Sequence, residues 1–136
     1  MSAILVIAAA CLFDADERLL LVRKRNTRAL MLPGGKAEAG EDGLATLRRE
    51  LREELNLQLP TEALNRLGRF RAPAANEADT WVDAEIFCAR LPHPVSAAAE
   101  LEELYWLAPQ AKLPANLAPL LREQVLPALG LAVRAG

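Results

Sequence analysis

Residues 35–57 read GKAEAGEDGLATLRRELREELNL, and the fold of the chain is best inferred from this stretch. Its leucines recur at spacings of three and four residues, which is the period of one helix face. They are Leu44, Leu47, Leu51 and Leu55. The pattern predicts a helix over Gly43–Leu55, with Asp42 as N-cap and Asn56 as a left-handed residue after the last turn. The leucine face is expected to pack into a hydrophobic core.

Three glutamates of this helix lie on a second arc, centred roughly 110° from the leucines. They are Glu50, Glu53 and Glu54. Carboxylates held this close raise one another's pKa, so the arrangement favours a divalent cation that takes oxygen ligands, such as Mg²⁺. From the helical spacing alone, a solvated face of Glu and Arg pairs remains the alternative.

The full spacing resembles the Nudix box, G-x5-E-x7-R-E-U-x-E-E-x-G-U, in which U is a bulky aliphatic residue. The matching residues are Gly35, Glu41, Arg49, Glu50, Leu51, Glu53, Glu54 and Leu57. Asn56 departs from the box, because the family has Gly there; Asn also tolerates a left-handed conformation, so we expect the helix cap to survive. The resemblance implies an α/β/α sandwich around a mixed sheet. It also implies hydrolysis of a nucleoside diphosphate linked to another group, with Mg²⁺ or Mn²⁺.

The resemblance further implies which residues form the metal site. Glu50 and Glu54 are expected to bind the metal, and Glu53 is expected to be either a further ligand or the general base. The family pattern places the carbonyl of Gly34 near the metal as well.

Other charged residues are expected to support this site. Arg49 is expected to orient the catalytic groups through an ion pair with Glu41, which would join the loop to the helix. Family members often use another carboxylate from outside the box. Glu103 is the first candidate for that role and Glu100 the second; the alternative for both is ordinary surface charge.

Four residues are expected to contact the substrate. In the family the second strand lines the substrate cleft, so Arg23 can hold a phosphate or a base edge, although an exposed strand-end arginine fits equally well. Gly35, in the glycine turn, belongs to the same predicted set. Trp81 and Glu85 share one strand face that can line a nucleotide pocket, the alternative being a half-buried sheet face.

The rest of the chain is predicted to form strands and one more helix, which makes the fold class α+β with a single domain over residues 1–136. The first two strands are expected to form a hairpin. Further along the chain, Pro33-Gly34-Gly35 is expected to end the short apolar segment that directly precedes this glycine turn. The predicted strands are 3–13, 19–25, 67–72, 80–91 and 103–107, and the predicted final helix is 116–129.

Composition excludes several other classes of protein. The chain has 136 residues, a net charge of −2 and 52% hydrophobic residues, so it is neither disordered nor a basic nucleic-acid coat protein. The apolar N-terminal run is too short to span a membrane and lacks a signal-peptide pattern. We therefore expect a cytoplasmic monomer or homodimer without membrane or nucleic-acid partners. Cys11 and Cys88 are expected to be free, buried thiols.

The sequence is consistent with more than one class of substrate. A nucleoside triphosphate, including an oxidised one, cleaved to the monophosphate and pyrophosphate fits the minimal length. ADP-ribose or another nucleoside diphosphate sugar is the alternative, because Pro73 and Glu77 lie about where that subgroup carries a proline and an acid. A Nudix-like domain that senses a nucleotide without hydrolysis is the third hypothesis.

Overall fold

In the computed structural model, which describes residues 3–130, a six-stranded mixed sheet lies at the centre of the chain. The elements are β1 (Ala3–Phe13), β2 (Leu19–Lys24), β3 (Gly34–Lys36), α1 (Gly43–Leu55), a 3₁₀ turn (Thr61–Ala63), β4 (Asn65–Pro73), β5 (Thr80–Arg90), β6 (Leu101–Leu107) and a C-terminal helix, which is π-helical over Leu120–Val125 and α-helical over Leu126–Leu129. The strand order is β4-β5-β1-β2-β6, with β3 paired to β1. β1 and β5 are parallel, and the other pairs are antiparallel. Residues 1–2 and 131–136 of the predicted domain lie outside the described residues.

Alternation along β1 sends its side chains to two separate cores, because successive residues of a strand face opposite sides of the sheet. Ala8, Ala10 and Leu12 pack against α1, together with its leucines. Ala9 and Cys11 pack on the other side, against the C-terminal helix. The predicted α/β/α sandwich around a mixed sheet is therefore confirmed.

Helix α1 has the bounds and both ends that the sequence predicts. The Asp42 carboxylate accepts a hydrogen bond from the Ala45 N–H (2.8 Å) and so satisfies one free donor of the first turn. At the other end, Asn56 has φ 51° and ψ 35°, the left-handed conformation expected of it. The N–H of Leu57 then donates to the Leu51 carbonyl (3.2 Å), which closes the helix end.

The predicted hairpin is present only at its tip. β1 and β2 are in register at Phe13 and Leu19, and β1 instead pairs along its whole length with the distant β5. The other edge of β1 is occupied by β3, a strand that the glycine turn was not expected to form. Gly34 makes this possible: its φ is 150°, and a Cβ there would clash with the backbone of Ala8 and Ala9.

The final helix starts later than predicted, because the residues before it are tied to another segment. The N–H of Leu30 donates to the Asn116 carbonyl (2.9 Å), and the N–H of Ala118 donates to the Leu30 carbonyl (2.8 Å). These bonds form a parallel bridge between Leu30 and Leu117, and the helix follows Pro119. In the described range 3–130, no helix has both the length and the apolar character needed to cross a membrane.

Replacing Asn56 tests how α1 ends. Asn56→Gly is expected to leave stability unchanged or slightly higher, because Gly adopts positive φ without a Cβ penalty. Asn56→Val is expected to lose at least about 1 kcal/mol of unfolding free energy, since a β-branched residue is strained there. Urea unfolding of both variants measures the difference. Equal stability of the Val and Gly variants would show that the left-handed conformation is not required.

Candidate active site

The site is built around a carboxylate that α1 buries beneath the glycine turn. Glu54 is 2% exposed, and its Oε1 accepts a hydrogen bond from the Gly34 N–H (3.1 Å). Its Oε2 is also buried and has no hydrogen-bond partner within residues 3–130. A buried, unpartnered carboxylate oxygen is costly unless a cation or a proton satisfies it.

A second carboxylate lies beside the first because Gly35 leaves room for it. A Cβ on Gly35 would stand 2.5 to 2.7 Å from the carboxyl atoms of Glu50, so a larger residue at position 35 would displace this side chain. Glu50 also accepts a hydrogen bond from Arg49 Nη1 (2.8 Å). The turn and the helix thus hold the Glu50 and Glu54 side chains at the same edge of the sheet.

Both carboxyl groups resist ionisation in this setting. Burial and the neighbouring Glu50 charge raise the pKa of Glu54 to about 8, and burial also raises the pKa of Glu50. A divalent cation would reverse this effect, because it favours the charged form of its ligands. The residues present therefore fit a hard cation: Glu54 offers an unpartnered oxygen and Glu50 a second carboxylate.

Arg49 joins the preceding loop to α1, as the sequence predicts. Its Nε and Nη2 donate to both oxygens of Glu41 (2.7 and 2.9 Å), and Nη2 also donates to the Lys36 carbonyl (2.9 Å). The Arg49 guanidinium holds the pKa of Glu41 down at about 2. The carboxylate of Glu41 also accepts from the N–H of Glu38 (2.9 Å), so the loop is fixed at two points.

Glu53 does not share the buried position of its neighbour. Its side chain is 54% exposed and lies 3.4 Å from Arg49 Nη1, so it points towards solvent. The helical spacing predicted one face for Glu50, Glu53 and Glu54, whereas the structure brings only Glu50 and Glu54 to the glycine turn. Over the described part of the chain, no three acidic, His or Cys side chains are already arranged to hold a metal ion.

The acid outside the box that approaches this site is Glu100 rather than Glu103. Glu103 is opposite Arg23 in the β2–β6 register, and its carboxylate accepts a hydrogen bond from Arg23 Nε (2.8 Å). The charges of Glu103 and Arg23 are therefore paired with each other. The negative charge of Glu100 instead contributes to the raised pKa of Glu54. The N–H of Ala98 donates to the Glu54 carbonyl (2.8 Å), which ties the 98–100 segment to α1.

A cleft of about 120 Å³ opens beside the glycine turn. Its mainly apolar lining comes from the sheet face opposite α1, the 73–77 loop and the C-terminal helix. The lining residues are Leu5, Ile7, Ala9, Lys24, Met31, Leu32, Gly34, Gly35, Lys36, Pro73, Ala74, Ala75, Asn76, Glu77, Val82, Ala118 and Leu120. The cleft therefore joins the glycine turn to an aliphatic pocket.

Of the predicted substrate contacts, Gly35 lines this cleft and Arg23 does not. Sequence reasoning missed Lys24, which lines the cleft and lies 3.2 Å from a Glu100 oxygen. Alternation along β2 puts Lys24 on the same face as Leu20 and Val22, which pack on the α1 side of the sheet. Arg23 lies on the opposite face of the strand.

Trp81 and Glu85 lie on the wrong side of the sheet for the cleft. Along β5 it is Val82 that reaches the lining, so the alternate residues face the α1 side. Trp81 is 42% exposed there, and Glu85 accepts from Arg66 Nε (2.9 Å). The prediction that Trp81 and Glu85 line a nucleotide pocket is thus not supported at this cleft.

Comparisons with known proteins agree with this geometry. The family model of the NUDIX domain matches residues 4–129. A MutT NUDIX hydrolase from Burkholderia pseudomallei superposes with a TM-score of 0.73 at 22% identity, covering 96% of this chain and 98% of that one. Among curated proteins, no sequence match was found.

Two longer proteins also contain this fold. One is a MutT/nudix family protein from Enterococcus faecalis, with a TM-score of 0.66, 20% identity and coverage of 78% of this chain and 44% of that one. The other is a bifunctional NMN adenylyltransferase/ADP ribose pyrophosphatase from Francisella tularensis, complexed with AMP and a Mn ion. It has a TM-score of 0.66, 20% identity and coverage of 96% and 42%. The chain spans less than half of each of these two proteins, and at such identities the likeness is one of fold.

Without a divalent cation, the protein is expected to lose stability as pH rises from about 5 to 8. Glu54 is protonated in the folded chain up to about pH 8 but ionises near 4.5 when unfolded, so unfolding releases a proton in this range. The expected loss is roughly 2–4 kcal/mol. Urea unfolding in EDTA at several pH values measures it.

Glu54→Gln is the control for this pH dependence, because it keeps the side-chain shape but removes the titration. The loss of unfolding free energy with rising pH is expected to be smaller in this variant than in the wild type. Glu41 does not obscure the result. Its contribution to the free energy of unfolding is complete above its unfolded pKa of 4.5, and it is lost only as pH falls towards about 2. Parallel pH profiles for the wild type and Glu54→Gln would contradict the assignment.

Proposed function

This chain belongs to the Nudix family of hydrolases, which act on phosphoric anhydrides, and on that premise we propose that it is a divalent-cation-dependent nucleotide pyrophosphohydrolase. The proposed reaction cleaves a nucleoside triphosphate, oxidised or not, to the monophosphate and pyrophosphate. The observation that carries the proposal is the buried, unpartnered Oε2 of Glu54, which lies beside Glu50 at the glycine end of the cleft. A divalent cation, which this reaction class uses, would satisfy that oxygen.

We assign the metal site to Glu50 and Glu54, with the Gly34 carbonyl as a further oxygen donor. These residues would hold a divalent cation, which when bound would neutralise phosphate oxygens and make a nearby water more acidic. Glu54 is fixed by its hydrogen bond from Gly34, and the Glu50 carboxyl is fixed against Gly35. Neither carboxylate therefore has to be ordered when the substrate binds.

The proton released by water needs an acceptor, and Glu53 is our candidate. Its side chain is 54% exposed and stands on the same helix as the proposed ligands, so water can reach it. Arg49 lies 3.4 Å from this carboxylate and keeps it close to the helix. A further metal ligand is the alternative role of Glu53.

Lysines at the mouth of the cleft favour an anionic substrate. Lys24 and Lys36 both line it beside Gly34 and Gly35. Two ammonium groups next to the carboxylate pair can attract a phosphate chain and orient it towards the metal site. The aliphatic part of the lining is then available to the base or sugar.

A nucleoside diphosphate sugar such as ADP-ribose is the second candidate substrate. Pro73 and Glu77, which the sequence singled out for this subgroup, both line the cleft. The Glu77 carboxylate can accept hydrogen bonds from sugar hydroxyls. Incubation with Mg²⁺ and a panel of triphosphates, diphosphate sugars and dinucleotides distinguishes the two candidates by the product released.

Turnover is expected to require a divalent cation bound by Glu54. EDTA should abolish hydrolysis, and Mg²⁺ or Mn²⁺ should restore it. Glu54→Gln should lower kcat by about 10²-fold or more, because metal stabilisation of the transition state is worth several kcal/mol. The control is Glu62→Gln, an exposed acid in the 3₁₀ turn, which should keep full activity. Undiminished turnover in EDTA would end the proposal.

The two acids outside the box are expected to differ in importance. Glu100→Gln should reduce kcat more than Glu103→Gln, since Glu100 interacts electrostatically with Glu54 whereas Glu103 pairs with Arg23. Both losses should be smaller than that of Glu54→Gln. Steady-state kinetics at saturating Mg²⁺ measure the three variants together. A Glu103→Gln loss equal to or above that of Glu100→Gln would return Glu103 to the site.

A further inference from the structure

The two cysteines of the chain, far apart in sequence, are neighbours in the sheet. Cys11 on β1 lies directly opposite Cys88 on β5 in the parallel register. Both side chains face the core beneath the C-terminal helix, and both are free thiols. Together they form a dithiol pair on the side of the sheet away from α1.

The backbone spacing of this pair suits a disulfide. Adjacent strands lie about 4.8 Å apart, and disulfides join residues whose Cα atoms are about 4.4–6.8 Å apart. Paired residues of neighbouring strands point to the same face of a sheet, so the two cysteine side chains project side by side into this core. A bond between them therefore requires rotation of side chains and no change of strand pairing.

The two thiols differ in access and in acidity. Cys11 is completely buried, whereas Cys88 is half-buried and lines a surface depression of about 290 Å³ beside Asn65 and Arg90. The neighbouring Cys11 thiol lowers the pKa of Cys88, whereas the neighbouring Cys88 together with burial raises the pKa of Cys11. A small oxidant thus meets the more nucleophilic sulfur first.

We propose that Cys11 and Cys88 are a peroxide-sensitive modification site, in which Cys88 reacts first and Cys11 then closes a disulfide. The Cys88 sulfur attacks hydrogen peroxide: an S–O bond forms, the O–O bond breaks, and the departing hydroxide takes the Cys88 proton to give water. The Cys11 sulfur then attacks the Cys88 sulfur of the sulfenic acid. The S–S bond forms, the S–O bond breaks, and the second hydroxide leaves as water with the Cys11 proton.

This site is separate from the proposed hydrolysis, because neither cysteine lines the cleft beside Gly34 and Gly35. The two proposals therefore succeed or fail independently. The net reaction converts two thiols and one hydrogen peroxide into one disulfide and two waters, so no further oxidant is needed.

Intact mass spectrometry of the full chain after hydrogen peroxide treatment tests the proposal. The expected product is a monomer lighter by two hydrogen atoms, which no longer reacts with iodoacetamide and is restored by dithiothreitol. Cys11→Ser should instead stop at the sulfenic acid, which a dimedone probe captures on Cys88. Cys88→Ser should resist oxidation under the same conditions.

Several results would overturn the proposal: two alkylatable thiols remaining in the wild type, a disulfide-linked dimer, or oxidation of Cys11 in Cys88→Ser. The wild-type measurement does not depend on the folding of either variant. Closing a loop between distant positions should also raise the thermal midpoint by several degrees in the oxidised protein.

Discussion

The arrangement of the site depends on one buried contact, between the Glu54 carboxylate and the backbone N–H of Gly34 (3.1 Å). Burial of a carboxyl group costs free energy, and the leucine face of α1 offsets that cost by anchoring the helix on the sheet. Gly34 also pairs with Ala9 in the β1–β3 register and lies too close to Ala8 and Ala9 for a Cβ, so the turn is held against β1. Helix, turn and cleft mouth are consequently held in one geometry, which the proposed chemistry requires.

Helix α1 could be predicted closely because its determinants are local. The leucine period, the Asp42 cap and the left-handed Asn56 all act within the helix or one residue beyond it. The Arg49–Glu41 ion pair was also predictable, through the resemblance of the box to a known family. The sandwich itself came from that resemblance, since no local pattern reveals that β1 pairs with the distant β5.

The remaining parts of the site depend on details that sequence patterns do not carry. Strand alternation separates Lys24 from Arg23 but does not reveal which face of β2 meets the cleft, and it is Lys24 that lines it. Glu100 follows Ala99, whose φ of 54° is uncommon for alanine and therefore gives no recognisable turn signal. The strand pattern also does not reveal which face of β5 meets the cleft. An aromatic ring favours the face of Trp81, whereas Val82 on the opposite face lines the cleft.

The charges around the site explain why Glu54 has no basic partner within residues 3–130. Arg49 is occupied by Glu41 and Glu50, and Lys24 lies 3.2 Å from Glu100. Across residues 3–130, no basic side chain forms an ion pair with Glu54, although several lie on the same side of the molecule. Arg49 and Lys24 therefore stabilise the loop and the rim of the cleft. The negative potential at Glu54 remains available to attract a cation from outside the chain. An ion pair between Glu54 and Arg49 or Lys24 would neutralise this carboxylate and so weaken its attraction for a divalent cation.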